Sequence, residues 1–117
     1  MKKFLVLYES SIPATQQIAK ASPEQAKAGM DLWMKWMEKA GKAIVDGGAP
    51  LGNTIAVKGS AAPGAAKVSG YSIFQAESGK ELAKLLEDHP HFKAPGASIE
   101  VLEVLSMPGT PQKQERP

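Results

Sequence analysis

Lys3-Phe4-Leu5-Val6-Leu7-Tyr8 is the stretch on which the fold turns. It is a compact run of strand formers, closed by Glu9-Ser10-Ser11 and Pro13, and it predicts a first β-strand. Alternation sends Phe4, Val6 and Tyr8 to one face and Leu5 and Leu7 to the other. Because every position from Phe4 to Tyr8 is apolar, both faces of the sheet that holds this strand must be covered.

The cover for one face follows in the sequence. Ser22-Pro23-Glu24-Gln25 is a helix start, with Ser22 as cap, Pro23 at the first helical position and Gln25 completing an S-x-x-Q box. Ala26, Met30, Trp33, Met37 and Ala40 then recur at helical spacing, with Gly29, Met34 and Trp36 widening the stripe and Gly41 as the stop. The centre of that stripe, Trp33, is expected on the sheet, with Met30 and Met34 flanking it. The preceding Ile12–Ala21 stretch reads as either a loop or a short helical turn.

Lys42 to Asp46 predicts a short strand ended by Gly47-Gly48, and Thr54 to Lys58 a prolongation of it after a bulge. Gly59 to Ala66 (GSAAPGAA) is a loop by composition. Lys67 to Ala76 predicts the next strand. Ser78-Gly79-Lys80-Glu81 opens a second helix with the stripe Leu82, Leu85, Leu86, stopping before His89-Pro90. Ser98 to Ser106 predicts the last strand, with Ile99, Val101 and Leu105 on one side and Leu102 and Val104 on the other.

The order strand, helix, strand, strand, helix, strand is the ferredoxin-like βαββαβ pattern of an α+β protein. It folds as a four-stranded antiparallel sheet with both helices on one face. The other face, with Leu5, Leu7, Leu102 and Val104, is too apolar to be left to water, and self-pairing about a two-fold axis covers it. A homodimer is therefore expected. Residues 1–108 form the expected domain, and 109–117 a C-terminal tail too rich in proline, charge and amide to enter a core.

Bulk composition narrows the functions. The 117 residues carry 43% hydrophobic and 22% charged side chains, ordinary for a globular domain. The net charge is +2, the basic and acidic residues are interleaved, and Arg116 is the sole arginine, which argues against nucleic acid as a partner. The absence of cysteine removes disulfides, thiolate metal sites and a cysteine nucleophile, and suits the cytoplasm. The N-terminus lacks the long apolar region of a signal peptide, and no run approaches the roughly 20 apolar residues of a membrane span.

Met30-x-x-Trp33-x-x-Trp36, Gly41, and Val45-Asp46-Gly47-Gly48-x-Pro50-Leu51-Gly52 resemble a branch of the YCII-related family. Ser69-Gly70-Tyr71-Ser72-Ile73, Ala76 and Ile99-Glu100-Val101 continue the resemblance, which spans residues 3 to 108. It implies a dimeric α/β barrel, two ferredoxin-like sheets face to face with a cleft between helix and sheet in each subunit. It also implies a catalytic His–Asp pair, and here the chain departs from the pattern. Met30 stands at the histidine position, and His89 stands before Pro90 where the aspartate belongs.

The candidate residues are accordingly of two kinds. Met30, Trp33, Met34, Gly48, Tyr71 and His91 are expected around a pocket for a small apolar or aromatic molecule. The bland alternative for the tryptophans and methionines is core. His89 and Asp46 are the candidates for acid and base, in a cofactor-independent enzyme of isomerase, lyase or oxygenase type. Against that, histidines flanking a proline are commonly a solvated loop or a helix cap, and Asp-Gly-Gly is commonly a turn in which the aspartate bonds its own backbone. Two histidines without a third ligand give no metal site, and no motif calls for a cofactor.

Overall fold

A computed structural model describes residues 1–12, 14–52, 55, 57–59, 68–94 and 96–106. Strand β1 (Lys2–Glu9) leads through helix α1 (Ala14–Lys20) into helix α2 (Pro23–Ala40). Strands β2 (Ile44–Pro50) and β3 (Val68–Ala76), helix α3 (Gly79–Leu86) and strand β4 (Ser98–Glu103) complete it. The strands form one four-stranded sheet in the order β2-β3-β1-β4 with antiparallel neighbours, the ferredoxin-like arrangement.

Register shows why β1 had to be apolar throughout. It lies between β3 and β4, with Val6 flanked by Ser72 and Val101, and Tyr8 by Gly70 and Ile99. On this face Phe4, Val6, Tyr8 and Phe74 are buried with Trp36 and Ala40 of α2 and Leu82 and Leu86 of α3. Both α2 and α3 thus cover the same side. On the other side Leu5 stands between Ile73 and Leu102, and Leu7 between Tyr71 and Glu100. That side is half-buried at its centre and carries exposed Val45, Leu102 and Val104 toward its edges.

The helix starts are as the residues dictate. Ser22 Oγ accepts from the Gln25 N–H at 3.1 Å, and Gln25 Oε1 accepts from the Ser22 N–H at 2.9 Å, which closes the capping box. Ser78 Oγ accepts from the Glu81 N–H at 3.2 Å at the head of α3. Ile12–Ala21, open between loop and helix in the sequence, holds α1.

Three expectations are corrected. Gly47-Gly48 does not end β2, which runs on to Pro50 through two register irregularities against β3. Gly47-Gly48 form the second of these, between Asp46 and Ala49, and Pro50 is tolerated because β2 is an edge strand. The prolongation over 54–58 is not formed at its described positions, where Ile55 and Val57 are exposed and outside any strand. The ladder has run out by then, since Pro50 pairs with Gly70 near the beginning of β3. Leu105 is not on the core side, because β4 ends at Glu103 opposite Phe4, close to where β1 begins. Most of the expected loop 59–66 and the tail from 107 onward lie outside the described residues, as does Lys67.

Candidate functional site

Helix α2 does not lie flat on the sheet. Its deepest residues are Trp36 and Ala40, while Trp33, expected at the centre of the stripe, is half-buried with its ring edge-on to Tyr8 (centroids 5.2 Å apart, planes at 80°). Toward the N-terminal half of the helix the apolar face therefore lifts off the sheet. A cleft of about 600 Å³ opens beneath it, roofed by α2 and floored by β2 and β3, with α1 and the turn after α3 at its ends. That lies within the roughly 300–1,000 Å³ usual for small-molecule sites.

Met30, Trp33, Met34, Gly48, Tyr71 and His91 all line this one cleft. Met30 and Met34 are 61% and 55% exposed, unusual for large apolar side chains and a consequence of facing open space rather than the sheet. Tyr71 lines it from β3, although its register with Leu7 belongs to the alternate row of that strand. Gln17 and Ile18 of α1 also contribute, and the sequence reading had no secure element there on which to place them.

The floor is fixed by a short relay. The Tyr8 hydroxyl donates to Ser72 Oγ at 2.9 Å, and Ser72 Oγ donates to the Gly47 carbonyl at 2.8 Å, which links β1, β3 and β2. Burial pushes the Tyr8 phenol above its ordinary pKa, and the bond to Ser72 opposes that rise. At Gly48 the backbone takes φ +74°, and a Cβ there would stand 1.7 Å from the Tyr71 carbonyl oxygen. The two strands can approach this closely only because position 48 has no side chain.

His89 and His91 have separate settings. Lys39 Nζ donates to Asp88 Oδ2, fastening the last turn of α2 to the residue before His89, and this bond holds the Asp88 carboxyl below its usual range. His89 then caps a 3₁₀ turn over Pro90–Lys93, its Nδ1 accepting from the His91 N–H at 2.9 Å. Its ring is 2% exposed among Tyr8, Trp33 and Trp36, with centroids 4.2 to 4.9 Å away. Loss of hydration, with a smaller contribution from His91, lowers its pKa to about 4, so the ring is neutral near pH 7. Since Nδ1 accepts, the proton sits on Nε2, which has no hydrogen-bond partner among the described residues. Nor is either histidine in a solvated loop. His91 is also buried, and its Nε2 lies 2.7 Å from the Glu9 carbonyl and 3.1 Å from that of Ser98.

Asp46 is exposed, and its Oδ1 accepts from the Gly48 N–H at 2.9 Å, the turn-forming bond expected of Asp-Gly-Gly. No hydrogen bond joins it to His89, and neither residue lines the cleft. Among the described residues no three His, Cys, Asp or Glu side chains gather as a metal site requires. Among them, too, no helix is long and apolar enough to cross a membrane.

No family model and no curated protein matches this chain. Among solved structures it is similar to 5-chloro-2-hydroxyhydroquinone dehydrochlorinase (TftG) from Burkholderia phenoliruptrix AC1100, in complex with 2,5-dihydroxybenzoquinone. The identity is 21% over 84% of this chain and 90% of that one, with a TM-score of 0.45. What that enzyme acts on belongs to that enzyme.

Proposed function

We propose that this chain is a YCII-related protein of the cytoplasm, a homodimeric α/β barrel that holds one small apolar or aromatic molecule in each helix–sheet cleft. The observation that carries the ligand reading is the apolar cleft of about 600 Å³ beneath Met30, Trp33 and Met34. A domain of 117 residues has little core to spare, and large side chains left facing a cavity of that size favour a site that is filled in use. The dimer reading rests on the sheet's second face, where Leu7 and the row Ile73-Leu5-Leu102 have no helix over them among the described residues. Two such faces pressed together about a two-fold axis cover each other, and static light scattering is then expected to give twice the chain mass of 12.4 kDa. A mass of one chain at micromolar concentration overturns the dimer.

The acid–base reading has less behind it. His89 is enclosed and neutral, and Asp46 already holds the Gly48 N–H.

Gly29 provides a direct test of the cleft. It sits within α2 and lines the cavity, and a Cβ built on it meets nothing within 4 Å among the described residues. Gly29→Ala is expected to raise stability by about 0.5–1 kcal/mol, measured by urea unfolding, because it removes a helix-interior glycine without a clash. Gly29→Leu is expected to fold equally well and to lose binding of aromatic probes about tenfold or more, read by calorimetry, because its side chain occupies the ligand's space. Unchanged binding in that variant rules the cleft out.

A further inference from the structure

We infer that His91 is the cleft's hydrogen-bond acceptor, and that its ligand is a small aromatic molecule carrying an O–H or N–H donor. The inference rests on the cleft being a ligand site and adds the chemistry of what enters it. The carbonyls of Glu9 and Ser98 at His91 Nε2 can only accept, so Nε2 bears the ring proton and donates to both. The tautomer of the uncharged ring is thereby fixed, with its lone pair at Nδ1. Among the described residues Nδ1 has no partner, and the ring lines the cleft.

Four other polar side chains around the cavity make hydrogen bonds within the chain. Tyr8 donates to Ser72, and Ser69 Oγ donates to the Tyr8 carbonyl at 3.0 Å. The Gln17 amide donates to Ser10 Oγ and the Ile12 carbonyl, and Gln25 Oε1 serves the Ser22 N–H. The Tyr71 side chain, also on the lining, carries a hydroxyl that can donate as well as accept. A ligand that lies against Met30, Trp33 and Met34 therefore meets in His91 Nδ1 a fixed group that only accepts. A molecule without a donor leaves that nitrogen dehydrated and unpaired, and the pocket discriminates against it on that ground.

The test compares 2-naphthol with 2-fluoronaphthalene, nearly equal in shape, one with a donor and one without, by isothermal calorimetry on the full chain. The wild-type protein is expected to bind 2-naphthol about tenfold more tightly or better, and His91→Phe is expected to level the two affinities. A second readout uses the wild-type protein alone. The ¹⁵N resonance of His91 Nδ1 is expected to move with 2-naphthol and to stay with 2-fluoronaphthalene. Equal affinities, or an Nδ1 signal indifferent to 2-naphthol, overturn the inference and leave the cleft standing as an apolar site. Failure of both molecules to bind removes the cleft reading and this inference together.

Discussion

Replacing Gly48 with alanine is expected to cost about 3 kcal/mol or more and to abolish ligand binding in the cleft. The added Cβ would lie 1.7 Å from the Tyr71 carbonyl oxygen, 2.6 Å from its carbon and 3.1 Å from Ser72 Cα, all backbone atoms that no rotamer change can move. The backbone at φ +74° adds the strain of a left-handed conformation. Relief comes only by parting β2 from β3, and that breaks the pairing of Asp46 and Ala49 with Ile73 and Tyr71. Gly47 and Gly48 are both cleft residues, so the site is lost with the pairing. Gly52→Ala is the control. A Cβ at Gly52 meets nothing within 4 Å among the described residues, and the change is expected to stay within about 0.5 kcal/mol in the same urea titration.

Acidification is expected to remove about 3 kcal/mol of stability through His89 alone. The unfolded chain takes up a proton on this ring near 6.5, whereas the folded chain resists until about 4. A lowered pKa in the native state means the neutral ring is the one the fold accommodates. The contribution is therefore complete above pH 6.5 and drains away as the pH falls through the window down to about 4. Carboxylates titrate in the lower part of that range, so the diagnostic quantity is the difference between wild type and His89→Phe. Unfolding midpoints of the variant should fall less steeply between about pH 7 and about pH 4.5. Parallel slopes would mean that the ring is hydrated in the native state.

The two histidines also mark where sequence reasoning stopped. Their spacing about Pro90 suggested one loop and one environment, yet the 3₁₀ turn that His89 caps sends the rings different ways. Nothing local announces this. It depends on Trp33 and Trp36 closing over His89 from a helix roughly fifty residues earlier in the chain, and on the Glu9 and Ser98 carbonyls meeting His91 from adjacent strands. Strand β1, by contrast, was legible because its periodicity and composition both follow from burial on two sides, and α2 because its capping box and its stripe agree. The cleft lining could be read from the same stripe: Met30 and Met34 are too large to be idle and lie off the line through Trp36 and Ala40. Helix α1 escaped because its seven residues are too few to display a period. The course of β2 escaped because Gly47-Gly48 is written the same way in a bulge and in a strand end.

That α2 and the sheet enclose a site for a small aromatic molecule is tested most directly through the methionine methyls. The chain has five methionines, of which Met30, Met34 and Met37 line the cleft, while Met1 is exposed at the start of the chain. With ¹³C-methyl labelling and 2-naphthol as probe, ring currents are expected to shift the resonances of Met30, Met34 and Met37 in one saturable process, with Met1 unmoved. Shifts that spare those three methyls, or that never saturate, would contradict the account.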